Sequence, residues 1–139
     1  MMPIARLPDW RSRLSTHLAQ VAAQPFGYGQ HDCALFAASC VEVMTGVDLA
    51  ARYRGLYVTL KGGLKLLLTD GFYNHLDVVR AHFDEVQPAF AQVGDIMVVQ
   101  EGHGIAALGI DVGERIAVLQ RGGLGMAPRA SAIAAYRVP

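Results

Sequence analysis

The chain has 139 residues, of which 53% are hydrophobic, and its 12 basic and 12 acidic side chains cancel. That is the size of one domain with enough apolar material for a core, and charges scattered without runs offer no positive stripe for a phosphate backbone, so no nucleic acid is expected as a partner. Pro3, Arg6, Pro8 and Asp9 interrupt the beginning and no later apolar run suits a bilayer, so the expectation is a soluble protein made in the cytoplasm, with no membrane span.

In chain order, Trp10, Leu14, Leu18 and Val21 recur at helical spacing and predict a first helix over Asp9 to Ala23, closed by Gln24-Pro25. The stretch from Phe26 to His31 holds two glycines and no period, which reads as a loop bringing backbone close to something. A second helix starts at Asp32; Phe36, Ala37, Cys40, Val41 and Met44 share one apolar face and Thr45-Gly46 supplies the stop. Asp48 to Tyr53 suits one short turn. Thr59 can cap a third helix to about Leu68, weakened at Gly62-Gly63 and closed by Asp70-Gly71, and Leu76 to Phe83 suits a fourth.

Beyond Glu85 the texture becomes that of strands: Ile96 to Gln100, Gly104 to Val112, Arg115 to Gln120 and Ile133 to Val138. Gly113-Glu114 reads as a tight hairpin, and Gly122-Gly123-Leu124-Gly125 as a looser corner. Helices followed by an antiparallel sheet predict one α+β domain over residues 1–139, with the second helix packed on the sheet.

Two cysteines are too few for a disulfide framework, and seven helical residues set Cys33 and Cys40 about 10 Å apart, beyond the roughly 7 Å a bridge allows. The five histidines form no HExxH or short Cys/His spacing, so no metal is expected, and no cofactor is implied. Chemistry therefore centres on Cys33, directly after Asp32 at the head of the second helix. The unpaired N–H groups and dipole of a helix start favour a thiolate, and the same N–H groups suit an oxyanion. The plain alternative is a small buried hydrophobe, as assumed for Cys40.

The run Pro25-Phe26-Gly27-Tyr28-Gly29-Gln30-His31-Asp32-Cys33 resembles the loop-to-helix start of the NlpC-type cysteine peptidases, papain-like enzymes of which most cut bacterial cell-wall peptide stems. Gly94-Asp95 before Ile96-Met97-Val98-Val99 resembles the Gly-Asp pair that opens their first core strand. Adding Leu35-Phe36-Ala37-Ala38, Thr45-Gly46-Val47-Asp48, Tyr53-Arg54-Gly55 and Ala107-Leu108-Gly109-Ile110, the ordered series is similar to a branch found in phage and prophage tail-gene clusters. The resemblance implies a papain-like NlpC-type fold with Cys33 as nucleophile. It also implies a place in the virion tail tip after synthesis in the bacterial host, with other tail-tip or hub proteins as partners.

A thiol nucleophile needs a base, normally histidine, and a group to orient it. The family's His-hydrophobic-Gly-Ile strand aligns with Ala107-Leu108-Gly109-Ile110, placing alanine at the histidine position; an alternative register uses His103, four residues or roughly 13 Å of strand earlier. Phe26 replaces the family's tyrosine, with Tyr28 as a substitute at the binding site; Ala34 replaces the serine that often follows the cysteine; Gln120 is the polar candidate for the third position. His31 could approach Cys33 from the loop or simply bond within it, and Arg54 could bind a carboxylate or tie a loop to a carbonyl or to Asp48. Asp95 is assigned a structural role. Three functions follow: a structural tail-tip protein on a degenerate peptidase fold; an active cysteine peptidase or amidase acting on cell-wall peptide through Cys33, with His103 or His31 taking the proton; or a small binding domain with no phage connection.

Overall fold

The structure is a computed structural model that describes residues 3–100 and 106–139. Helix α1 (Trp10–Val21) begins after Asp9, whose carboxylate bonds Arg13 rather than capping backbone. Helix α2 (Cys33–Thr45) begins after Asp32 in extended backbone and stops at Gly46, whose φ of +82° suits glycine and whose N–H reaches Glu42 O. Helices α3 (Leu60–Thr69) and α4 (His75–His82) are capped by the side chains of Thr59 and Asn74, which accept from Gly62 N and Asp77 N.

Among the described residues six strands follow: β1 (Asp84–Val86), β2 (Ile96–Gln100), β3 (Ala106–Asp111), β4 (Arg115–Gln120), β5 (Gly123–Pro128) and β6 (Ala132–Arg137). They form one antiparallel sheet in the order β1-β6-β2-β3-β4-β5, so the α+β class expected from the sequence is what is found. Two elements differ from the sequence reading. Residues 122–125, expected to be a corner, lie largely in β5, which pairs with β4 from Arg115↔Pro128 to Gln120↔Gly123. Glycine has low strand propensity, and the ladder to a neighbouring strand overrides it. The short β1, unmarked by any alternation, exists through its pairing with β6.

The sheet's two faces follow the strand period of two. Ile96, Val98, Leu108, Ile110, Ala117, Leu119 and Tyr136 meet Phe36, Cys40, Val41 and Met44 of α2 in the main core. Met97, Ala107, Ile116, Val118 and Ala135 form a second, smaller cluster, against which Cys33 packs. Asp95, fully buried at the start of β2, takes Arg6 Nη2 at 3.0 Å, Arg137 Nε at 2.9 Å and the backbone N–H groups of Gln92 and Val138. Its structural role is to tie the segment before α1 and the end of β6 to the sheet.

Candidate functional site: a cavity at the head of α2

The turn that presents Cys33 is organised by the carboxylate before it. Asp32 is buried and accepts from Leu35 N at 2.9 Å, from Gly29 N at 3.1 Å and from the Tyr57 hydroxyl at 2.5 Å. The first bond caps α2, and the second folds back a loop already closed by Gly27 N to His31 O and His31 N to Gly27 O. Gly29 has a φ of +83°, and a Cβ there would stand 1.8 Å from Tyr57 O, so this position admits no side chain. Burial, joined by Asp32, pushes the Tyr57 hydroxyl well above its ordinary range and keeps it a donor.

Tyr57 also explains the awkward glycine pair in α3. A Cβ at Gly63 would lie 3.0 Å from the tyrosine ring, so the glycine lets α3 accept that ring at close range. The two together place the ring beside the α2 start. Cys33 itself is half-buried, and no disulfide joins it to Cys40, whose thiol is fully buried and pushed well above its usual pKa by that burial.

Cys33 lines a cavity of about 610 Å³ between α2, α3, α4 and the sheet. Its α2 wall is Ala34, Ala37, Ala38 and Val41, and its far wall includes Leu64, Leu67, Val78 and Val79. At the cysteine end stand Asp32, Tyr57 and His75. His75 opens α4 with Nε2 2.5 Å from Ala106 O, directly before Ala107. Burial lowers its pKa, opposed by the Ala106 carbonyl and the Asp32 carboxylate. A neutral imidazole donating from Nε2 leaves Nδ1 as an acceptor.

Of the residues singled out from sequence, Tyr28, Ala34, Phe26, Ala107 and Gln120 all line this cavity with Cys33. Tyr28 stacks edge-on against Phe26 at 5.0 Å, with the Arg121 guanidinium 6.0 Å from its ring. His31 does not line the cavity: it is 5% exposed, edge-on to Phe36, and its Nε2 has no partner among the described residues. Burial lowers its pKa, with Arg54 lowering it further and Asp32 opposing. His103 falls in residues 101–105, outside the described residues. Arg54 gives its Nε and Nη2 to Asp48 at 2.8 and 3.1 Å, the loop-tying arrangement.

Sequence reasoning did not single out Tyr57 and His75. The glycine pair facing Tyr57 was a usable signal for a ring at close range, whereas His75, just ahead of the apolar residues of α4, carries no local mark of what it faces. Among the described residues no three His, Cys, Asp or Glu side chains cluster as a metal ion needs, and no helix is long and apolar enough to cross a membrane.

Fold and site together define an α+β domain in which a cysteine heads a helix laid on an antiparallel sheet and opens into an apolar cavity. The chain belongs to the family described as domain of unknown function DUF6950, whose model matches residues 5–138. A search of the curated proteins finds no match.

Proposed function

We propose that this domain is a structural component of a phage or prophage tail tip, built on an NlpC-like scaffold whose peptidase machinery is incomplete, and that it docks on other tail-tip or hub proteins. The observation that carries the reading is Ala107. It lines the cavity with Cys33, and the cluster it belongs to packs against that cysteine, so the strand position where the resemblance expects an imidazole holds a methyl group. A methyl group accepts no proton, so this strand position does not supply the base that a thiol nucleophile needs. The test is to incubate the purified protein with cell-wall sacculi beside Cys33→Ala and follow soluble peptide by mass spectrometry. Neither should release peptide. Release that disappears in Cys33→Ala would overturn the reading.

One observation favours the enzyme reading as a second. Cys33 heads a helix and opens into a cavity that also holds the His75 imidazole. In that reading Cys33 attacks an amide carbonyl, a histidine takes the thiol proton, and the N–H groups of the α2 start hold the oxyanion.

A further inference from the structure

We propose that the Cys33 cavity binds the aliphatic chain of an amphiphile, with the polar head at the α2 N-terminus and the chain running along α2 toward Val41. The cavity wall on α2 extends from Cys33 to Val41, eight residues or about 12 Å of helix. Along that path the helix presents Ala34, Ala37 and Ala38, whose small side chains leave width for a chain, while Leu64 and Val78 form the opposite side.

Several polar groups of the wall are committed to the protein. The Asp32 carboxylate takes three donors, the Tyr53 hydroxyl donates to Asp70 Oδ2 at 2.6 Å, and His75 Nε2 is held by the Ala106 carbonyl. A charged peptide placed along this lumen would leave its polar groups without partners, a cost that hydrocarbon does not carry. A volume of about 610 Å³ lies within the usual range for a small-molecule pocket. Arg121 is the one arginine or lysine among the described lining residues, suiting an anionic or ester head. The proposal rests on reading the Cys33 cavity as a retained pocket, and not on the tail-tip placement.

The test is calorimetric titration of the full chain with decanoate, below its micelle concentration, against acetate as the head-group control. Saturable binding of decanoate without binding of acetate is expected, weakened at least tenfold in Ala38→Leu, which fills the lumen. Equal behaviour of the two acids, or undiminished decanoate binding in a folded Ala38→Leu, would overturn it. Should that variant fail to fold, the wild type decides by a second readout: decanoate should slow alkylation of Cys33 by iodoacetamide, mapped by mass spectrometry, and absence of protection refutes the cavity as the site. Sacculus digestion would sink the tail-tip reading and leave this result untouched.

Discussion

Removing the Asp32 carboxylate tests the account of the cysteine-bearing turn most directly, because three donors converge on it. In Asp32→Ala the lost N-cap costs about 1 kcal/mol. The buried Gly29 N–H left without a partner costs about 1 kcal/mol or more, and the charge-assisted bond from Tyr57 about 2 kcal/mol. The sum is roughly 4 kcal/mol, a large part of the 5–15 kcal/mol typical of a folded domain. At roughly 3 °C per kcal/mol for a chain of this size, the melting temperature should fall by about 12 °C by circular dichroism. Asp32→Asn keeps an acceptor for Leu35 N and should lose about half as much. Tyr57→Phe should cost about 1–2 kcal/mol, and in a double-mutant cycle with Asp32→Ala the two should couple by about 1 kcal/mol or more. A loss below about 1 kcal/mol in Asp32→Ala, or strict additivity with Tyr57→Phe, would refute the reasoning that this carboxylate holds the loop, the helix start and Tyr57 together.

Gly29→Ala should be worse than an ordinary left-handed glycine replacement, because the added methyl meets Tyr57 O as well as a φ of +83°; a loss of about 3 kcal/mol or more in urea unfolding is expected, and a loss under about 1 kcal/mol would show the loop relaxing freely. Asp95→Asn leaves two arginines facing a neutral buried group and should cost about 3 kcal/mol in the same assay, a near-neutral result refuting the tie between chain ends. Burial lowers the pKa of His17, His31 and His75 in the folded protein, whereas the unfolded chain holds them near 6.5. The unfolded state then binds more protons below about pH 6.5, so stability is full above that pH and falls as pH drops below it. Melting temperature should decline from pH 6.5 to 5, with a shallower slope in His75→Gln; a rise on acidification would contradict the assignment. Alkylation of Cys33 across pH should be unchanged in His75→Ala and His103→Ala if the proton machinery is incomplete, whereas a histidine-dependent loss of rate would restore the peptidase reading.

Much of what surrounds Cys33 was legible in the residues. Asp32 as cap, the apolar face from Phe36 to Met44 and the stop at Gly46 are local signals, each acting within a turn or two, and all three appear in α2 as expected. The structural readings of Asp95 and of Arg54 with Asp48 also hold: Arg54 finds its carboxylate within the same short turn, whereas buried Asp95 is held by Arg6 and Arg137 from distant parts of the chain. By contrast the run Gly122-Gly123-Leu124-Gly125 reads as a corner, because its glycines announce flexibility and only the ladder to β4 makes most of it a strand.

The sequence by itself determined the α+β class, the position of Cys33 at a helix head and the absence of a histidine from the Ala107 position, because helix caps, alternation and residue identity are properties of neighbouring positions. Only the tertiary structure decided what the cysteine faces. Tyr57 and His75 reach the Cys33 cavity from the loop before α3 and the first turn of α4, His31 turns away from it into the core, and the apolar lumen exists between elements distant in the chain. Such encounters depend on how helices pack over a sheet, which no local pattern of residues encodes.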